Sequence, residues 1–304
     1  MMNYPKQVTL VDVGARDGLQ NEKIYVPAAV KIELIHRLQA AGVREIEATS
    51  FVSPKWVPQM ADASEVMAGI ARASGVRYSV LTPNLRGFEG ALAAQAHEIV
   101  VFAAASEAFS QRNINCSIAQ SIDRFAPVVV AAHAAGIKVR GAVSCALGCP
   151  YEGAVSPAAV EQVVKGLKAI GVDHMGIADT IGVGTPRSAQ LALEQALKHY
   201  PIHEVSGHFH DTYGQALANV LAALELGVHV FDTSIAGLGG CPYAKGATGN
   251  VATEDVVYLL HGLGINTGLD LNALVSTGAW ISETIGKPYA SRAGKALWTK
   301  QQTH

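Results

Sequence analysis

Eight times along this chain a short apolar run is followed by a longer helical pattern, and this recurrence restricts the available folds more than any other feature. The strand candidates are Val8–Val13, Glu45–Ser50, Arg77–Leu81, Glu98–Ala103, Lys138–Ser144, Asp173–Ala178, Glu204–His210 and Val228–Ile235. Helical patterns fall near Ala28–Ala41, Ala63–Ala73, Leu85–Gln95, Ser117–Ala135, Pro157–Ile170, Pro186–His199, Tyr213–Leu226 and Ala252–Gly262. Gly42, Gly136, Gly171 and Gly227 each stand between the end of a helical pattern and the next apolar run. A glycine there can take the left-handed conformation that ends a helix and turns the chain. Ser156-Pro157 and Thr185-Pro186 place a capping hydroxyl before a proline whose missing N–H costs nothing in the first helical turn.

Strands that alternate with helices build a parallel sheet, and eight such units close into a (β/α)₈ TIM barrel. An open, doubly wound sheet is the competing architecture, but no Gly-x-Gly-x-x-Gly follows the first strand. The 304 residues fit one catalytic domain, with the barrel over about 7–262 and a C-terminal helical extension over about 263–304. Within the extension, Leu271–Ile285 has a helical pattern, and the basic tail Lys287–Lys300 reads equally well as a packed segment or a solvated terminus. With 49% hydrophobic and only 16% charged residues, the chain suits a parallel sheet buried on both faces. A net charge of −2 argues against a nucleic-acid partner, and no apolar run approaches the roughly 18 residues of a membrane span. The first residues hold no apolar signal core and the four cysteines form no pairs with metal-knuckle spacing, so a reducing cytoplasm is the expected setting.

Barrel enzymes place their chemistry at the C-terminal ends of the strands. The first strand runs into Arg16-Asp17, the second carries Glu47, the sixth ends at Asp179-Thr180 and the seventh ends in His208-Phe209-His210. Residues two apart on a strand share a face, so both imidazoles can converge on one ion. Asp17, His208, His210 and Asn250 together make a carboxylate, imidazole and amide set with room for water or substrate. That set favours Mg²⁺ or Mn²⁺, with zinc or cobalt as the alternative. Arg16 offers a fixed fork of donors to a carboxylate or a developing enolate oxygen; its alternative is a surface ion pair with Glu22 or Glu47. Cys241 lies in the segment 236–250, which holds five glycines and little periodicity, as expected of a mobile loop able to close over the barrel mouth.

These residues sit within longer motifs: Arg16-Asp17-Gly18-Leu19-Gln20-Asn21-Glu22, Ser50 through Met60, Asn113-Ile114-Asn115-Cys116-Ser117, Leu147-Gly148-Cys149-Pro150-Tyr151, Asp179 through Thr185, His208 through Gln215 and Gly237 through Asn250. Over nearly its whole length the chain thereby resembles the 3-hydroxy-3-methylglutaryl-CoA lyase family. The resemblance implies a metal-dependent barrel that splits 3-hydroxy-3-methylglutaryl-CoA into acetyl-CoA and acetoacetate, a retro-Claisen cleavage of leucine breakdown and ketone-body formation. It implies a metal on Asp17, His208, His210 and Asn250, further catalytic groups at Arg16, Glu47, Asp179 and Cys241, and a homodimer. Asp17 or His208 would shuttle the proton of the C3 hydroxyl, and Cys241 or a histidine would protonate the enolate carbon.

Three positions depart from the family pattern. Ala142 stands where Tyr is common, Gly176 where Ser is common, and Ala15 where Pro is usual. If Ala142 and Gly176 face the pocket, it is larger and has lost two hydrogen-bond partners, which favours a longer 3-alkyl homologue or citramalyl-CoA as the alternative substrate. A non-catalytic acyl-CoA-binding barrel is the reading outside enzymes, and it leaves the convergent strand-end side chains without a reason. Lys23, Lys55 and Arg112 are candidates for the CoA phosphates. If Cys241 is the proton donor, Cys241→Ser is expected to cut turnover sharply, and full turnover in a steady-state assay of that variant would remove the role.

Overall fold

The structure is a computed structural model that describes residues 4–240 and 249–303. Its strands are β1 (Thr9–Asp12), β2 (Glu45–Ser50), β3 (Arg77–Leu81), β4 (Glu98–Ala104), β5 (Lys138–Ser144), β6 (His174–Asp179), β7 (Val205–Phe209) and β8 (Val230–Thr233). All neighbours pair in parallel, and β8 pairs back onto β1 to close the barrel. Each expected strand is present. The observed β1, β7 and β8 are shorter than their apolar patterns at both ends, and at the C-terminal ends the residues beyond them turn away from the ladder to build the barrel mouth.

The helices are α1 (Ala28–Ala40), α2 (Ala63–Gly69), α3 (Leu85–Ala93), α4 (Glu107–Ile114), α5 (Ile118–Ala134), α6 (Pro157–Ala169), α7 (Pro186–Leu197), α8 (Ala216–Glu225), α9 (Thr253–Gly262), α10 (Leu271–Thr284) and α11 (Arg292–Gln302). Gly42, Gly136, Gly171 and Gly227 all have positive φ, as the helix-stop reading requires. Ser117 and Gln120 form a reciprocal capping box on α5, and Ser156 accepts the Ala159 N–H at 3.2 Å at the start of α6. Helix α4 is absent from the sequence reading, being one short polar helix inside a βα loop.

Strand alternation divides the interior into two zones. Val205 and Phe209 of β7, and Ile99, Val101 and Ala103 of β4, join the buried apolar layer between sheet and helices. Ser206 and His208 face the other way, into the barrel, where they meet side chains from β5 and β8. The apolar layer stabilises the fold by burial, at about 25 cal/mol per Å² of apolar surface, while the barrel axis is left to polar groups.

The C-terminal extension is ordered through Ala293 and beyond, which settles the status of the basic tail. Asp255, on the first turn of α9, accepts from Ser291 Oγ and from Ala293 N–H, each at 2.7 Å. Neighbouring Glu254 is fully buried; it accepts from Ala236 N–H at 3.0 Å and from Tyr289 OH at 2.8 Å. The tail therefore packs beside the barrel mouth. Lys287 reaches Glu22 at 2.6 Å and Arg292 reaches Asp211 at 3.3 Å, both acceptors lying in loops after strands.

Burial raises the Glu254 carboxyl from 4.5 to about 8. A carboxyl whose folded pKa is raised binds its proton more tightly in the folded state. Its contribution to stability is complete below pH 4.5 and is lost as the pH climbs towards about 8. Glu254→Gln keeps the shape without the titration. Thermal melts across that range are expected to show Tm of the variant falling less with pH than Tm of the parent, with a limiting slope difference of about 1.4 kcal/mol per pH unit for one proton.

Candidate active site and metal centre

Arg16 and Asp17 reach the barrel mouth because the chain leaves β1 through a π-type turn, Gly14–Gly18. Two glycines make that turn possible. A Cβ at Gly14 would stand 2.8 Å from Asp12 Oδ1, and one at Gly18 would stand 2.8 Å from Ser234 Oγ, both closer than a side chain tolerates. Asp12 secures the turn, accepting from Gly14 N–H at 2.8 Å and Thr253 Oγ1 at 2.7 Å.

The Arg16 guanidinium is buried between two carboxylates. It donates from Nε and Nη2 to the two oxygens of Glu47, each at 2.9 Å, and from Nη1 to Asp17 Oδ1 at 2.6 Å. This settles the choice left open by the sequence: the partner is Glu47, inside the barrel, and Glu22 is taken by Lys287. An arginine carries five N–H donors, so two remain for a negatively charged oxygen at the mouth. Burial pushes Glu47 up while Arg16 pulls it down.

Both imidazoles of β7 converge on Asp17. His208 Nε2 and His210 Nε2 each lie 3.9 Å from Asp17 Oδ2, with ring centroids 5.4 Å apart. Asn250 joins them through backbone stitching. Val251 N–H donates to Phe209 O at 2.9 Å and Asp211 N–H to Gly249 O at 3.1 Å, which lays residues 249–251 along the end of β7. The Asn250 amide then donates to Asp17 Oδ2 at 2.9 Å and to Leu238 O at 3.1 Å.

One donor atom from each of Asp17, His208 and His210 falls within 4.8 Å of the others, the arrangement expected of a metal site. A buried polar atom beside it, Asn250 Oδ1, has no hydrogen-bond partner. Buried polar atoms are rarely left unpaired, so the donor set fits a divalent cation in both chemistry and unmet bonding capacity. Burial would raise Asp17, but Arg16, His208 and His210 outweigh it and hold the carboxylate well below its usual range. Burial and the adjacent His208 lower His210 to about 4, leaving a neutral imidazole fit for metal ligation. His208 is raised despite its burial, because Asp232 accepts from its Nδ1 at 3.0 Å.

The other expected residues fall in different places. Asp179 is buried and raised by that burial to about 6, and its oxygens accept from Gly184 N–H at 2.8 Å and Val183 N–H at 3.1 Å, so its carboxyl shapes the turn after β6. Cys241 lies outside the described residues. Cys116, Cys145 and Cys149 are buried, in keeping with structural roles. Arg112 stacks on the Tyr151 ring at 4.2 Å, and Lys23 and Lys55 are exposed. Asp232, Arg140 and Asp12 were missed by the sequence reading. Strand alternation was the available signal for Asp232, which shares a face with Val230, but an isolated Asp on an apolar strand carries no motif.

Comparisons with known proteins agree over nearly the full length. The profile of the HMGL-like family matches residues 7–281. The 3-hydroxy-3-isohexenylglutaryl-CoA/hydroxymethylglutaryl-CoA lyase of Pseudomonas aeruginosa is 57% identical over 299 residues, covering 98% of this chain and 100% of the relative. A crystal structure of hydroxymethylglutaryl-CoA lyase from Pseudomonas aeruginosa superposes with a TM-score of 0.96 at 57% identity, over 98% of this chain and 100% of the other. An HMG-CoA lyase from Acinetobacter baumannii, in complex with coenzyme A and 3-methylmalate, has a TM-score of 0.93 at 36% identity, over 97% of each chain. None of the helices among the described residues is long and apolar enough to cross a membrane.

Among the described residues Asp17 is the carboxylate that lies within 3.9 Å of both imidazoles, so its charge is central to holding a cation here. Asp17→Asn is expected to weaken Mn²⁺ binding by at least about 100-fold, measured by the loss of the free-ion EPR signal on titration; unchanged affinity would take Asp17 out of the site.

Proposed function

The chain belongs to the HMGL-like family, and on that premise we propose that it is a divalent-metal-dependent carbon–carbon lyase that splits 3-hydroxy-3-methylglutaryl-CoA into acetyl-CoA and acetoacetate. The observation that carries this reading is the convergence of Asp17, His208 and His210 beside an arginine with two uncommitted N–H donors. Asp17, His208, His210 and Asn250 would hold Mg²⁺ or Mn²⁺, which when bound supplies a Lewis acid that lowers the pKa of the C3 hydroxyl.

Arg16 does its work at the other end of the breaking bond. Cleavage of C2–C3 leaves the acetyl-CoA fragment as an enolate whose charge collects on the thioester oxygen. The remaining N–H donors of Arg16 meet that oxygen, and the bidentate grip of Glu47 keeps the guanidinium from turning away. Asp17 is the proposed acceptor of the hydroxyl proton, since His208 has its Nδ1 committed to Asp232 and its Nε2 turned to the cation site, and Cys241 is the proposed donor to the enolate carbon. Asp179 acts by shaping the turn after β6. The barrel and its C-terminal extension work as one catalytic unit, since Tyr289, Ser291 and Ala293 of the extension bind Glu254 and Asp255, which follow the metal-binding asparagine. We place the protein in the cytoplasm on its few cysteines, unpaired among the described residues, and assign it as a homodimer on the strength of the family resemblance.

A second reading is favoured by a specific feature of the barrel wall. Ala142 and Gly176 are register partners on β5 and β6, and a Cβ at Gly176 would point at Ser206 Oγ, 3.3 Å away, on the inward face. Arg140 and Ser206 occupy the space over Gly176, so room for a longer 3-alkyl group rests on Ala142, and the Pseudomonas relative is named for both an isohexenyl and a methyl substrate.

The deciding assay follows acetyl-CoA release with Mg²⁺ or Mn²⁺ from 3-hydroxy-3-methylglutaryl-CoA, a longer 3-alkyl homologue and citramalyl-CoA in parallel. Turnover of the first is expected, abolished by EDTA and restored by metal, with Arg16→Gln lowering kcat by about 10²–10³. Turnover of citramalyl-CoA alone would overturn the assignment. Activity on the longer homologue that falls on Ala142→Tyr would support the wider pocket.

A further inference from the structure

The buried charges on the barrel axis extend well past the groups that the reaction uses. Asp232 of β8 is the register partner of His208 on β7, and its Oδ2 lies 3.0 Å from His208 Nδ1. Its other oxygen accepts from Arg140 Nη2 of β5, three strands away, and the same Nη2 donates to Ser206 Oγ at 2.7 Å. Arg140 and Asp232 are only 7% and 8% exposed, so neither group has bulk water as a substitute partner.

Gly176 makes this reach possible. It lies on β6, between Arg140 and Ser206, and a Cβ built there would be 3.8 Å from Arg140 Nη2 and 3.3 Å from Ser206 Oγ. With no side chain on β6 at that level, the guanidinium crosses the strand and meets Asp232 directly.

We propose that Arg140 and Asp232 are positioning residues for the metal centre: Ser206 steadies the Arg140 guanidinium, Arg140 fixes the Asp232 carboxylate, and Asp232 fixes the His208 ring so that Nδ1 carries the proton and Nε2 faces Asp17. A ring nitrogen can bind a cation only through an unprotonated lone pair, and the hydrogen bond on the opposite nitrogen determines which lone pair is available. His208 Nε2 points at Asp17 Oδ2, while His210 has no comparable anchor on its Nδ1. His208 is therefore the imidazole whose orientation is set from outside the site. Without Arg140 the Asp232 carboxylate keeps only His208 and is free to rotate. The ring would then be held in the right tautomer for only part of the time. This rests on the assignment of His208 as a metal ligand, and the two claims separate experimentally.

The test titrates Mn²⁺ into the full-length protein by EPR, with circular dichroism to confirm folding. Asp232→Asn and Arg140→Gln are expected to weaken Mn²⁺ about 10–100-fold, with Arg140→Lys recovering part of the loss. His208→Ala is the reference: if it binds Mn²⁺ normally, the ligand assignment fails. If His208→Ala loses the ion while folded Asp232→Asn keeps parent affinity, the positioning role alone is overturned. A second measurement needs no variant at Asp232 or Arg140. Long-range ¹H–¹⁵N correlation on the Mg²⁺-loaded parent protein is expected to show His208 protonated at Nδ1 and unprotonated at Nε2, and the opposite tautomer overturns the proposal.

Discussion

A charge enclosed by a closed barrel has no bulk water to turn to, and the arginines on the axis of this protein are each matched by a carboxylate from another strand. Arg16 from the turn after β1 lies between Glu47 of β2 and its own neighbour Asp17. Arg140 of β5 meets Asp232 of β8. Removing one partner from such a pair strands the other, at a cost of about 3–5 kcal/mol. The pairs thereby constrain the strand register as firmly as the apolar layer does, since a slip of one residue would turn every one of these side chains outward.

The same pairing supplies the site with its electrostatic order. Glu47 keeps Arg16 aimed inward, Arg16 holds Asp17 ionised, and Asp17 faces two imidazoles that differ sharply. His208 is raised by Asp232 and His210 is lowered by burial and by His208, so two chemically identical side chains on one strand are distinguished by their neighbours. The apolar shell between barrel and helices keeps water from screening these differences.

The C-terminal extension belongs to this arrangement. Glu254 grips the Ala236 amide, where the backbone has a φ of +57°, and Tyr289 from the extension binds the same carboxyl. Two residues further on, Leu238 O receives the Asn250 amide that also contacts Asp17. A non-glycine residue in the left-handed region is strained, and the buried carboxyl of Glu254 together with the helices around it compensates for that strain at the base of the site.

Much of this was legible in the residues. The eightfold recurrence, the glycine stops and the Ser-Pro and Thr-Pro caps are local properties, and a periodic apolar pattern with capping residues determines a strand or a helix before any tertiary contact forms. The pair His208 and His210 on one strand face was legible for the same reason, and the structure brings Asp17 to the same place as a candidate metal cluster. Other features depended on distance in three dimensions. The choice between Glu22 and Glu47 as partner for Arg16, the reach of Arg140 across Gly176, the docking of α11 and the capture of Asp179 by backbone amides all join residues far apart in sequence or in loops without periodicity. The sequence by itself thus determined which elements form and which chemical groups stand at their ends. Only closure of the barrel decided which buried charges face one another, because the energy of a buried ion depends on separations of a few ångströms that no local pattern encodes.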